Sequence, residues 1–335
     1  MTLPDFFIIG PPKAGTTALH AALAQHPELH LSRIKEPKYF LCGDRPPPQD
    51  GGPGDAHSYR EWVWQRDRYE ALFADAPAGT QSGESTPFYL SDLSAQKRIH
   101  DEIPDAKLIV ILRDPVDRAY SNWTHLWSDG LEPIGNFLQA CAEEDVRINK
   151  GWAPFWKYRQ LGLYGEQLDH LFQLFPREQV HLFRYKELVD EPHRTLNRIC
   201  EFLGVTPDVV TEVPRENVST FVEHNARTRV LQAVIRVGAE IGRFFPPSWW
   251  RRVSAPLVQA RRGDAANRPE LSVDDRLTLI EYFRPDIELL QELTGQSFAD
   301  WLGHREGGSF TVRSAAAGPD RSVRTSWEPS GHEAS

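Results

Sequence analysis

Apolar residues gather in three short runs along this chain, at Phe6–Ile9, at "LIVILRD" (Leu108–Asp114) and at "QVHLFRY" (Gln179–Tyr185). Each is bounded by turn-forming or charged residues and is too short for a buried helix, so each reads as a buried strand. The stretches beside them change period. "TTALHAALAQHP" sets Leu19, Ala22 and Leu23 on one helical face and stops at Pro27, and "YGEQLDHLFQLF" has the same spacing ahead of the third run. After the second run, Asp114 is placed to cap a helix whose first turn accepts Pro115. Helical spacing is also expected over Arg60–Ala74, Val222–Val237 and Val273–Leu293. Strands alternating with helices predict an α/β fold of three layers, a central parallel sheet flanked by helices on both faces. Asp44–Ala56, "DRPPPQDGGPGDA", is too rich in Pro and Gly for regular structure and is expected to be a mobile surface loop. From Gly303 apolar periodicity is lost, so one domain over 1–302 and a disordered tail over 303–335 are expected.

The first strand and helix enclose "GPPKAGTT" (Gly10–Thr17). A strand, a glycine-bearing turn and a helix N-terminus together aim backbone N–H groups at one point, which suits a phosphate. Gly10 and Gly15 keep the spacing of a nucleoside-triphosphate loop, but Thr16 stands where that loop has its lysine, and the lysine is at Lys13. Set that early, it reaches the far end of a single 5′-phosphate and suits a leaving group other than a polyphosphate. Arg113, at the carboxyl end of the second strand, offers a guanidinium fork to a further phosphate. Arg118, Ser121 and His125 recur at helical spacing behind it and are expected to line the same pocket.

Together "FFIIGPPKAGTT" and "ILRDPVDRAYSNWTHL" resemble the two nucleotide motifs of sulfotransferases that use 3′-phosphoadenosine 5′-phosphosulfate (PAPS), especially the heparan-type carbohydrate enzymes and their bacterial relatives. The resemblance runs over roughly Leu3–Leu302 and implies a P-loop-like fold. It implies that Pro12, Lys13, Ala14, Gly15, Thr16 and Thr17 hold the 5′-phosphosulfate, and that Arg113 and Ser121 hold the 3′-phosphate. In "RIKEPKYF", Glu36 matches the catalytic base of the carbohydrate branch, between Lys35 and Lys38. Lys13 takes the leaving-group role, and His125 matches a histidine near the transferring group. The segment "SGESTPFYL" is similar to the floor of the acceptor cleft, so Glu84, with Lys38, is expected at the acceptor. Heparan enzymes commonly have a lysine after that glutamate where this chain has Ser85, which argues against a polyanionic acceptor. "QARRGDAANRPE" occupies the place of a basic loop that closes over PAPS, with Arg261, Arg262 and Arg268 as its cations. The resemblance implies in-line sulfuryl transfer with no metal, PAPS as co-substrate and 3′,5′-ADP as product.

Composition narrows the partners. The 335 residues are 40% hydrophobic and 25% charged with a net charge of −9, which argues against a nucleic-acid binder and for a small-molecule acceptor. Three separated cysteines, no apolar run near about 20 residues and no basic leader lead to the expectation of a cytoplasmic protein without a membrane span. Trp62, Trp64, Trp123, Trp127, Trp152 and Trp156 are read as a possible platform for a sugar or flat aglycone, which tilts the acceptor toward a natural product or glycolipid. Two other readings stay open. One is a P-loop nucleotide or small-molecule kinase with Asp114 on Mg²⁺; the other is a nucleotide-binding module without catalysis.

Overall fold

The computed structural model describes residues 3–47, 51–214, 221–222, 265–266, 270–306 and 309–311. Five parallel strands form its centre: β1 (Phe6–Ile8), β2 (Leu29–Leu31), β3 (Gln81–Ser85), β4 (Lys107–Leu112) and β5 (Val180–Arg184). Their order across the sheet is β2-β3-β1-β4-β5. β1 lies between β3 and β4, with Ile8 opposite Ser85 on one side and Ile109 on the other. This is the parallel, helix-flanked architecture expected from the alternation of runs.

Alternating side chains of the strands feed two cores. Phe6, Ile8, Ile109 and Ile111 pack under α1 (Thr16–Leu23) and, later in the chain, α10 (Pro192–Leu203). Phe7, Ile9, Leu108, Val110 and Leu112 face the opposite layer. That layer contains α4 (Leu93–Glu102), α5 (Pro115–Ser128), α8 (Tyr164–Leu174) and α11 (Val273–Thr294). Phe6 to Ile9 are all fully buried, and each such side chain contributes about 1.5–3 kcal/mol relative to exposure. The remaining helices are short: α2 (Asp55–Tyr59), α3 (Arg66–Glu70), α6 (Phe137–Ala142), α7 (Glu144–Asn149) and α9 (Tyr185–Asp190).

Several expectations change. Arg60–Ala74 holds only the single-turn α3 between bends, because Trp62, Val63, Tyr69, Leu72 and Phe73 are all drawn inward and no continuous helix presents them together. The Pro/Gly stretch is pinned where it meets α2. Asp55 is buried and accepts hydrogen bonds from the N–H groups of Gly52 (2.8 Å) and Ala153 (2.9 Å) and from Trp156 Nε1 (2.8 Å). β2 and β3 lack the apolar signal and were not expected. At the tail, β8 (His304–Glu306) and β9 (Ser309–Thr311) pair antiparallel where no regular structure was expected, while 312–335 lie outside the described residues. Most of Val222–Val237 also lies outside them; Val222 itself belongs to β6 (Phe221–Val222), which pairs with β7 (Ala265–Ala266) and lies against α5. Among the described residues no helix is long and apolar enough to cross a membrane, and Cys42, Cys141 and Cys200 are buried free thiols.

Candidate active site

The carboxyl ends of the parallel strands β1 to β5 release the chain at one edge of the sheet, and the segments carrying Lys13, Glu36 and Arg113 start there. After β1 the chain turns back tightly. A Cβ on Gly10 would sit 2.6 Å from the Ile111 carbonyl oxygen, so only glycine lets the loop cross β4 this closely. Lys13 and Gly15 both take left-handed backbone angles (φ 70° and 93°), and a Cβ on Gly15 would strike the Tyr185 ring at 2.7 Å. Gly15 then caps α1 without any side-chain bond to the helix, and the first turn of α1 carries no acidic residue. The N–H groups at this end are therefore left to an anion. Pro12 and Ala14 shape the turn, and Thr16 and Thr17 begin the helix.

The second motif meets the first directly. Arg113 donates from Nη1 to the Lys13 carbonyl oxygen at 2.9 Å, lies over the Tyr185 ring at 5.2 Å, and has its own carbonyl held by Tyr164 Oη at 2.9 Å. Asp114 caps α5 by accepting from Val116 N and Asp117 N, and it also pairs with Arg276 of α11. Its carboxylate is thus committed to the fold, which removes the Mg²⁺ ligand that a kinase reading needs.

The three residues expected on one face of α5 differ in their surroundings. Arg118 is fully buried, donating to Asn122 Oδ1 at 3.1 Å and to the Tyr158 carbonyl oxygen. It is a core residue, not a pocket wall. Ser121 is buried on the same helix, while His125 is partly exposed, 3.6 Å from Asp129 and edge-on to Phe155.

Glu36 follows β2 and sits beside the same edge. Its N–H donates to the Ser85 carbonyl oxygen (3.0 Å), and its carboxylate lies 2.6 Å from Lys35 Nζ and 3.9 Å from Lys38 Nζ. Burial works to raise its pKa, but Lys35 and Lys38 outweigh burial and hold it below the usual carboxylate value. Lys13 is shifted the other way for a cation, down to about 8, first by burial and then by Arg113, against the pull of Asp129 and Glu36. Its electrostatic neighbours are therefore Glu36, Arg113, Asp129 and, more weakly, the buried Arg118.

Backbone strain marks the same residues. Among the described residues four non-glycines have left-handed φ, and three of them are Lys13, Glu36 and Lys38. Such angles cost on the order of 1 kcal/mol or more and gather where function fixes a side chain. Nothing in the sequence announced this.

Other expectations are corrected. Glu84 is fully buried and accepts from Tyr69 Oη at 2.7 Å, and burial raises its pKa to about 7; it underlies the site without facing an acceptor. Lys38 is held over Trp62 (5.4 Å) and Phe88 (5.7 Å) and lies 3.9 Å from the Glu36 carboxylate. Of the six tryptophans only Trp62 lies by these charges. Trp123 and Trp127 stack in the core, and Trp152 and Trp156 enclose Arg147. Arg261, Arg262 and Arg268 lie outside the described residues, although Ala265–Ala266 between them returns to the β-ladder against α5. His20 on α1 was missed by the sequence reading, although its place one turn after Thr16 puts it on the phosphate-facing helix.

Known proteins share this fold. The family model described as the sulfotransferase domain matches residues 3–241. Heparan sulfate glucosamine 3-O-sulfotransferase 6 of Homo sapiens is 30% identical over 207 residues, 60% of this chain and 52% of that protein. Bifunctional heparan sulfate N-deacetylase/N-sulfotransferase 4 of Mus musculus is 29% identical over 262 residues, 73% of this chain and 27% of that protein. The chain thus spans about half or less of the curated relatives' length. The crystal structure of a sulfotransferase from Alicyclobacillus acidocaldarius is similar with a TM-score of 0.69 and 29% identity, over 90% of this chain and 99% of that one. With the domain match covering well over half of the residues, this chain belongs to the sulfotransferase family.

Proposed function

We propose that this chain transfers the sulfuryl group of PAPS to a hydroxyl or amine of a small carbohydrate, glycolipid or natural-product acceptor, releasing 3′,5′-ADP. The observation that carries this reading is the convergence of Lys13, Arg113 and Glu36 at one sheet edge, with the α1 N-terminus open beside them. The fit to the donor is good: an uncapped helix end and a glycine turn suit its 5′-phosphosulfate, and Arg113 with Ser121 suits its 3′-phosphate. PAPS, when bound, supplies the activated sulfuryl group.

The residues then divide the work. Glu36, ionised at neutral pH because Lys35 and Lys38 flank it, accepts the acceptor's proton. Lys13 holds its proton at Nζ and meets negative charge on the leaving phosphate. His125 stands at the rim as a contact for the sulfuryl oxygens, and Lys38 with Trp62 and Phe88 forms an amphipathic acceptor wall. The names of the curated relatives favour a carbohydrate acceptor. The domain is assigned to 1–302, since α11 packs on α8 and Trp301 is buried against Phe298 just before Leu302.

Titration calorimetry without metal tests the donor site. The wild-type chain should bind 3′,5′-ADP, and Arg113→Ala should weaken it by about 10- to 100-fold, the worth of a charge-assisted contact. Adenosine 5′-phosphosulfate, which lacks the 3′-phosphate, should bind both proteins alike. An equal loss for both ligands would remove Arg113 from the 3′-phosphate.

A further inference from the structure

His20 lies on α1, one turn beyond Thr16, so it belongs to the helix whose N-terminus faces the phosphate loop. Its Nδ1 is 2.8 Å from the Ser85 hydroxyl. Ser85 is fully buried and ends β3, and its carbonyl oxygen accepts the N–H of Glu36 at 3.0 Å. The next contacts continue in register. Lys38 N–H donates to Thr86 Oγ1 (3.3 Å) and Phe40 N–H to Tyr89 Oη (3.1 Å). Every second residue from 36 to 40 is therefore fastened to the segment 85–89, whose first residue pairs with Ile8 of β1 through the backbone and is tied to α1 through its hydroxyl by His20. Burial, then Lys35, push the His20 pKa down to about 4, so the ring is neutral at neutral pH and its bond to Ser85 is not a proton switch.

We propose that His20 and Ser85 form a positioning pair that holds the Glu36 loop at a fixed distance from the phosphate-facing end of α1. The strained φ of Glu36 gives the pair a purpose: without an anchor on Ser85, the loop can relax to ordinary backbone angles and carry the carboxylate away. Position 85 serves this link with a buried hydroxyl turned toward α1. The inference rests on Glu36 being the base.

The test compares His20→Ala, Ser85→Ala, the double variant, His20→Asn and Glu36→Gln in the full chain. Transfer of ³⁵S from PAPS is measured to the glycoside that the wild-type chain sulfates best in a hydroxyl and amine screen, and to water. Hydrogen exchange is followed over residues 33–41. His20→Ala and Ser85→Ala should each lower kcat by about 10- to 100-fold, the scale of a misplaced group, with the KM for PAPS and the 3′,5′-ADP affinity within about twofold. The double variant should be no worse than the poorer single one, because one link is lost in either case. Exchange should rise over 33–41 alone, and His20→Asn, which keeps a hydrogen-bonding group near Nδ1, should restore both readouts. Unchanged kcat and exchange in His20→Ala, beside an inactive Glu36→Gln, would overturn the inference while leaving the base in place. So would a uniform rise in exchange across the domain, which marks a purely structural histidine. An active Glu36→Gln would instead refute the base, a separate result.

Discussion

Glu36→Gln should lower kcat by about 10²- to 10⁴-fold while leaving the affinity for 3′,5′-ADP within about twofold. The amide keeps the size of the carboxylate and one oxygen for Lys35, so the loop retains its seat on Ser85. What disappears is the acceptor for a proton. The sign of the pKa shift sharpens the expectation. Lys35 and Lys38 keep the Glu36 carboxylate ionised below the pH where an ordinary glutamate would protonate, so the acid limb of the wild-type rate should lie below the usual glutamate range. In Glu36→Gln that limb should vanish along with most of the rate. Steady-state transfer from ³⁵S-labelled PAPS, followed from about pH 3 to about pH 9, measures both. Should the variant keep wild-type kcat, His125 becomes the better base, since it stands at the rim beside Asp129.

The readable and unreadable parts of this chain divide along physical lines. β1 and β4 were visible because strands buried on both faces are apolar nearly throughout, and β5, a half-buried edge strand, was visible from Val180, Leu182 and Phe183. β2 and β3 were not, although β3 is also central. Its "QSGES" is polar and small because Gly83 leaves room for the Phe6 ring, Glu84 turns inward to Tyr69, and Ser85 turns to His20. The Gln81, Glu84 and Ser85 side chains each meet a residue distant in sequence, and no local pattern records such a partner. The same reason accounts for Arg118. Helical spacing correctly placed it near Ser121 and His125, but the Tyr158 carbonyl, forty residues on, drew its guanidinium into the core.

The site was legible where spacing alone implies geometry. A strand end, a glycine turn and a helix start must lie together, so Lys13 and Gly15 were identifiable, as was Arg113 at the end of another parallel strand. That Arg113 would bond the Lys13 carbonyl, and that Lys13, Glu36 and Lys38 would share a left-handed backbone, follows only from the packed fold. Tryptophan count misled for the opposite reason. Large rings fill cores more often than they line clefts, and here Trp123, Trp127 and Trp156 do so.

Lys13→Met should cut kcat by about 10²- to 10³-fold, the usual loss when one preorganised group facing developing charge is removed. Methionine keeps the length and apolar stem but has no proton to offer, and burial of the native amine disfavours its charge, so thermal stability should not fall. The pH profile supplies the second reading. With a pKa of about 8, Lys13 is mostly protonated at pH 7 before the donor binds and loses its proton as pH rises through 8, so kcat/KM for PAPS should decline above that pH. Once an anionic donor is bound, the cation is favoured again, and the limb seen in kcat should lie higher. Lys13→Met should abolish the alkaline limb in both. Lys13→Arg should keep charge without restoring the full rate, because a planar guanidinium fork does not replace the compact ammonium at the same point. An alkaline limb that persists near pH 8 in Lys13→Met would assign it to another group and remove Lys13 from the leaving-group role, whatever the size of the rate loss.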